Sequence, residues 1–186
     1  MAKIFIFRHG ETFDNKNHIF SGWRDNDLTE KGKEEAKEIG GKLKNEEITK
    51  AYQSDLIRSK HTLSLVLDGY HKNAEIITDP RIKERDYGDL TGKNKDEIAK
   101  EFPDKYVLWH RSYDVTPPNG ESIKDVEKRV LSFLEDILPK LKKNDVVLIS
   151  AHGNSLRPMR RYFEHLTIDQ MCSFEHIPGK VYTYNI

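Results

Sequence analysis

Cysteine is nearly absent: Cys172 is the only one in 186 residues, so no disulfide can form within the chain. One thiol in a chain of this size fits a reducing compartment. Net charge is missing too. Lys+Arg and Asp+Glu both number 31. A general nucleic-acid binder carries a basic excess, so no nucleic-acid partner is expected, and any anion site must be a local cluster of cations. There is no apolar run of about 18 residues to span a membrane. The N-terminus offers Lys3 and then only Ile4-Phe5-Ile6-Phe7, too short for a signal peptide. No membrane partner is expected, and a cytoplasmic location follows by default. The glycine-rich loops G-x-x-x-x-G-K-[ST] and G-x-G-x-x-G are absent, as are H-E-x-x-H, C-x-x-C and G-x-S-x-G. Nucleotide cradles, a metal site and a serine-hydrolase elbow are therefore not indicated.

What the chain does have is enough length for one domain, residues 1–186, with a single ample core. Apolar runs at 3–8, 49–53, 75–78 and 145–151 read as strands, and 180–185 as a last, alternating one. Between them lie helical patterns. One opens at Leu28-Thr29-Glu30 with Thr29 as its cap and Ala36, Ile39 and Leu43 at helical spacing. Others cover 56–69, 94–102, 103–112 and 122–141, where Pro139 should end or distort the helix. A further helix begins near Ser155. Residues 9–28 and 80–93 read as long loops, which in compact domains are often functional. Strands alternating with helices predict an α/β fold, a mainly parallel sheet covered on both faces.

Two His-Gly pairs leave strand-like runs: His9-Gly10 after Ile4–Arg8, and His152-Gly153 after Val146–Ala151. An α/β sheet gathers its active site at the carboxyl ends of its strands, so these distant histidines could meet there. A neutral imidazole can attack phosphorus and hold the phosphoryl group. Its other nitrogen must then donate elsewhere, and a carbonyl in the Gly10 turn is a candidate. Gly10 would allow a tight turn and close approach to a ligand. His152 precedes a helix N-terminus, which offers free N–H groups to an anion. Arg8 flanks His9, and Arg58 starts the helix after the second strand. Their guanidinium groups match phosphate oxygens. Glu84 could donate and accept the proton if its pKa is raised.

These segments resemble the histidine phosphatase superfamily, and within it the cofactor-dependent phosphoglycerate mutases. Arg8-His9-Gly10-Glu11-Thr12 is the superfamily signature. Phe20-Ser21-Gly22-Trp23, Ser54-Asp55-Leu56-Ile57-Arg58-Ser59, the run from Glu84 to Lys95, Trp109–Asp114 and Ala151–Arg157 follow the mutase pattern in register. The resemblance implies a three-layer α/β/α fold. It implies that His9 is phosphorylated, that Arg8, Arg58, His152 and Asn15 surround the phosphoryl group, and that Glu84 moves the proton. Ser21, Gly22, Gly153 and Asn154 would contact substrate phosphates. Arg85, Tyr87, Lys95 and Arg111 would hold the far end of the substrate. The implied reaction interconverts 3-phosphoglycerate and 2-phosphoglycerate in glycolysis and gluconeogenesis, primed by 2,3-bisphosphoglycerate and without a metal. The family includes monomers and homo-oligomers.

Three departures keep a phosphatase of small monoesters open as an alternative using the same phosphohistidine. His110 stands where family members carry the first of two adjacent arginines, and a histidine is charged only part of the time at neutral pH. Pro118 reaches Gly120-Glu121-Ser122 without the usual insertion. The sequence ends at Ile186 without the tail that covers the site in many mutases, and a lid shields a labile intermediate from water.

Overall fold

A computed structural model describes residues 1–71 and 73–186. Its strands are β1 (Lys3–Arg8), β2 (Lys50–Gln53), β3 (Glu75–Thr78), β4 (Val146–Ala151) and β5 (Val181–Asn185). The helices are α1 (Phe13–Lys16), α2 (Glu30–Leu43), α3 (Ile57–Leu67), α4 (Lys95–Glu101), α5 (Pro103–Arg111), α6 (Ile123–Ile137), α7 (Gly153–Glu164) and α8 (Ile168–Ser173). The strands form one sheet in the order β3-β2-β4-β1-β5. All neighbours run parallel except β5, which lies antiparallel on β1.

Side chains alternate across a strand, and here both faces are buried. Ile4 and Ile6 of β1 join Val147 and Ile149 of β4 on one face, where α6 and α7 pack through Val126, Val130, Phe133, Leu134, Leu156 and Met159. Phe5, Phe7 and Leu148 point the other way, onto Ala36, Ile39 and Leu43 of α2 and Leu63 and Val66 of α3. Burial on both faces is why β1 and β4 read as continuous apolar runs rather than alternating ones. Each such side chain contributes about 1.5–3 kcal/mol. The result is the three-layer α/β/α arrangement expected.

Local signals set most boundaries. Thr29 caps α2 by accepting from the Gly32 N–H at 3.1 Å. Ser122 and Asp125 cap α6 reciprocally. That helix stops at Ile137, and Pro139 sits in a 3₁₀ turn, Leu138–Lys140. Three features differ from expectation. Helix α7 starts at Gly153 rather than near Ser155, because Ser155 Oγ accepts the His152 N–H at 3.0 Å and so belongs to the first turn. The loop over 9–28 contains α1, closed by a Thr12–Asn15 capping box. Helix α8, capped by Thr167 and Gln170, was not anticipated, since it is too short to show a periodicity.

Gly10 also has a different use from the one expected. It does not adopt a positive φ. A Cβ there would lie 2.2 Å from the Gly32 carbonyl oxygen, and one on Gly32 would lie 2.1 Å from the Glu11 oxygen. Two glycines let α2 touch the backbone that carries His9. Gly41, on the same helix, has nothing within 4 Å of its Cβ position. Gly32→Ala is therefore expected to lower stability by about 1–3 kcal/mol through overpacking, whereas Gly41→Ala should raise it by about 0.5–1 kcal/mol. Urea unfolding midpoints check this. Shifts in the same direction would mean that helix propensity, not the close approach, governs both positions.

Candidate active site

The chain leaves β1 and β4 in opposite directions: α2 covers the Phe5/Phe7 face and α7 the Ile4/Ile6 face. Adjacent parallel strands with opposed connections open a crevice at their carboxyl ends. Arg8 pairs in register with Ala151, and the His9 N–H donates to the Ala151 carbonyl at 3.0 Å, extending the ladder by one residue. His9 and His152 therefore emerge side by side, with ring centroids 5.0 Å apart at 56°.

Each ring is held in one orientation. His9 Nδ1 lies 2.8 Å from the Gly10 carbonyl oxygen, which can only accept, so Nδ1 carries the hydrogen and Nε2 keeps its lone pair. Burial, reinforced by Arg8 and Arg58, holds the His9 pKa well below the ordinary imidazole range. His152 caps α7, and its Nε2 lies 2.7 Å from Ser54 Oγ. Ser54 Oγ also accepts from the Leu56 N–H at 3.2 Å. His152 Nδ1 is buried and has no partner among the described residues. Burial, then Arg58 and His9, depress its pKa as well.

Glu84 approaches from the loop between β3 and α4. One donor atom from each of His9, Glu84 and His152 lies within 4.8 Å of the others. Glu84 Oε1 accepts from the Arg85 N–H at 2.7 Å, Asn154 Nδ2 at 2.9 Å and the Asn154 N–H at 3.1 Å. Its raised pKa is not what the structure has. Burial alone would push it up, but Arg58, these hydrogen bonds and Arg8 together hold it below the usual carboxylate value. Glu84 is thus ionised beside two neutral imidazoles. The loop is fixed by Arg129 of α6, which donates to the carbonyls of Arg81, Lys83 and Glu84 at 2.7, 2.8 and 2.9 Å. Trp23 Nε1 donates to the same Glu84 carbonyl at 2.7 Å.

Arg58 is 1% exposed and donates to the carbonyls of Gly22 and Arg24 at 2.8 and 2.9 Å. It pulls the 21–24 loop onto the strand ends. Its Nε, like that of Arg8, is buried without a partner. Burial lowers both pKa values, yet a guanidinium stays charged. Two histidines and a carboxylate are a conceivable metal-ligand set. With Arg8 and Arg58 acting on the same three groups, the local charge favours an anion instead.

A cavity of about 230 Å³ gathers Arg8, Asn15, Ser21, Gly22, Glu84, Tyr87, Lys95, His110, Arg111, Gly153 and Asn154 from widely separated parts of the chain. A larger groove, about 1070 Å³, runs along α7 and β5 and contains none of these residues. The cavity's polarity and its titratable groups mark it as the better site. Two expected residues stand differently. Arg85 turns away, donating to the carbonyls of Glu121 at 2.6 Å and Val115 at 3.3 Å, and fixes the loop rather than facing the cavity. His110 is in the cavity, but burial together with Arg111, Lys95, Arg157 and Arg85 pushes its pKa down to about 3, so it is neutral rather than partly charged. Arg157, Glu175 and His176 also line the cavity and were not anticipated. In sequence they resemble ordinary surface residues around a short helix. Ser54 and Arg129 were likewise missed, since a single serine or helix arginine carries no distinguishing pattern.

The histidine phosphatase superfamily (branch 1) model matches residues 4–186. A 2,3-bisphosphoglycerate-dependent phosphoglycerate mutase of Nitrobacter winogradskyi is 43% identical over 188 residues, covering 98% of this chain and 91% of that protein. Among solved structures, YhfR of Bacillus stearothermophilus superposes with a TM-score of 0.90 at 29% identity, covering 100% of this chain and 92% of that one. A putative alpha-ribazole-5'-P phosphatase from Escherichia coli superposes with a TM-score of 0.83 at 25% identity, covering 100% and 91%. A match over almost the whole length, joined to two neutral strand-end histidines in a nest of arginines, places this chain in the histidine phosphatase superfamily.

Proposed function

We propose that this protein is a 2,3-bisphosphoglycerate-dependent phosphoglycerate mutase, interconverting 3-phosphoglycerate and 2-phosphoglycerate through phosphohistidine at His9. The likeness to mutases at 43% identity over nearly the full length supports it. The single observation that carries it is the charge layout of the cavity. A phosphatase needs cations only around the transferred phosphoryl group. Here Lys95 and Arg111 line the same cavity as Arg8, where they suit a second anionic group at the far end of a small substrate. We place the enzyme in the cytoplasm and treat residues 1–186 as one domain.

His9 Nε2 attacks the phosphorus while Nδ1–H remains on the Gly10 carbonyl. In the transfer from phosphohistidine to the substrate, the ionised Glu84 takes the proton of the acceptor hydroxyl; in the return attack by His9 it gives that same proton to the leaving oxygen. 2,3-Bisphosphoglycerate, when bound, supplies the phosphoryl group that primes His9. The orphaned Arg8 and Arg58 Nε–H groups are donors that fit such an anion. They stabilise charge that develops on the equatorial oxygens. The ionised Glu84 begins as the base. An arriving phosphate offsets Arg58 and Arg8, which raises its pKa and lets it hold the proton between steps. No metal is needed when two guanidinium groups already supply the charge.

Phosphorus NMR tests the reading directly. With 3-phosphoglycerate, a trace of 2,3-bisphosphoglycerate and a chelator, 2-phosphoglycerate should grow to equilibrium with little free phosphate. Free phosphate without 2-phosphoglycerate would replace the mutase with a phosphatase, and loss of activity on chelation would restore a metal. Glu84→Gln is expected to cut kcat by about 10²–10⁴-fold, with phosphohistidine formation slowed in proportion. An equal rate would remove Glu84 from proton transfer. Because the His9 and His152 pKa values are depressed, both rings are neutral above them. Their imidazole signals in the free enzyme should stay fixed from about pH 5.5 to 8. Titration of His9 near pH 6.5 would show that the nucleophile is protonated for part of that range.

A further inference from the structure

The connection between α8 and β5 forms a wall of the cavity through Glu175 and His176, and His176 has a buried nitrogen, Nδ1, with no hydrogen-bond partner among the described residues. Phe174 is gripped by two cations of α7, with the Arg157 and Arg160 guanidinium carbons 4.7 and 4.2 Å from its ring centre. His176 packs edge-on against that ring at 5.1 Å and 86°. Glu175 meets Arg111 at 3.6 Å on the rim. The segment is therefore held at Phe174 and Glu175, and His176, next in sequence, lines the cavity.

His176 Nε2 lies 3.2 Å from the position of a Cβ on Gly153, and the same point is 3.4 Å from Glu84 Oε2. Gly153 is thus the gap through which the ring reaches the neighbourhood of Glu84. Glu84 Oε1 has three donors, so Oε2 is the oxygen left to face the reacting group. His176 Nδ1 is buried and has no hydrogen-bond partner among the described residues. A neutral imidazole carries one N–H, and the nitrogen turned toward Gly153 and Glu84, placed to donate to a ligand in the cavity, is Nε2.

We propose that His176 is a substrate-contacting residue, its N–H donating to an oxygen of the bound phosphoglycerate and so setting affinity for it. The inference rests on the reading of the substrate given above. Burial and the surrounding Arg8, Arg157, Arg111 and Arg160 push the His176 pKa down to about 2, so the ring contributes a directed hydrogen bond rather than a charge. It also supplies aromatic cover over the Glu84 oxygen from within the chain.

Two substitutions separate the hydrogen bond from the packing. His176→Phe keeps an aromatic ring on Phe174 and removes the donor. His176→Asn keeps a donor and removes most of the ring. Titration calorimetry of the full chain with 3-phosphoglycerate should give a Kd about ten-fold higher for His176→Phe, and within about three-fold of the parent for His176→Asn. KM should follow Kd, with kcat changing less. Wild-type affinity in His176→Phe would show that the ring only packs, and equal weakening in both variants would remove the donor argument; either result overturns the proposal. Unfolding midpoints guard against a misfolded variant, and the asparagine form alone still decides: a ten-fold loss there counts against the proposal. If the enzyme proves to release phosphate without isomerising, the mutase reading fails on the NMR product, while the Kd contrast still reports on His176.

Discussion

Three arginines, Arg58, Arg85 and Arg157, are the largest fully buried side chains, and their hydrogen bonds go to backbone carbonyls rather than to carboxylates. Arg58 holds the Gly22 and Arg24 carbonyls, Arg85 those of Glu121 and Val115, and Arg157 those of Met171 and Cys172. Arg58 and Arg85 therefore tie loops to the crevice, and Arg157 ties α8 to α7, while each keeps its charge. A buried arginine paired with an acid would be neutralised locally. One bonded to carbonyls leaves a positive field in the cavity, and the loops that shape the cavity are placed by the same contacts that charge it.

Burial drives the histidines neutral and that field adds to it, while for Glu84 the field and its hydrogen bonds overcome burial. Glu84 is buried yet held ionised, while His9, His152, His110 and His176 are all driven neutral. A nucleophile must be unprotonated and its base must be ionised, so one electrostatic arrangement prepares both. It also accounts for where the structure leaves hydrogen-bonding capacity unused. Arg8 Nε, Asn154 Oδ1, Arg157 Nε and His176 Nδ1, on residues that line the cavity, and Arg58 Nε and His152 Nδ1 at the strand ends, are buried without partners among the described residues. Unsatisfied groups weaken a fold. The arginine N–H donors among them suit an anion, and the Gly10–Gly32 contact and the Arg129 clamp hold the surrounding backbone in place.

How much of this was legible in the sequence varied with the range of the interaction. The Ile-Phe run of β1 and the valine-rich β4 read plainly, because a strand buried on both faces shows an unbroken apolar run. Thr29 and Ser122 marked helix starts, since a cap depends on residues three positions apart. Helix α8 was invisible, and α7 began two residues early because Ser155 caps the first turn from inside. Gly10 was noticed for its conformational freedom, whereas its use is a backbone contact with Gly32, a partner that no local pattern names. Arg85 was placed by likeness among substrate ligands, and its guanidinium instead faces two loop carbonyls.

By itself the sequence determined the alternation of strands and helices, the positions of both histidines at strand exits and the absence of a strong net charge, because these follow from composition and short-range periodicity. Only the tertiary structure decided that β1 and β4 lie side by side in the register Arg8 to Ala151. It alone set Ser54 on His152, Arg129 behind Glu84 and His176 across from Gly153. Those contacts join residues tens of positions apart, and their geometry is fixed by sheet order and helix packing, which no local pattern of residues encodes.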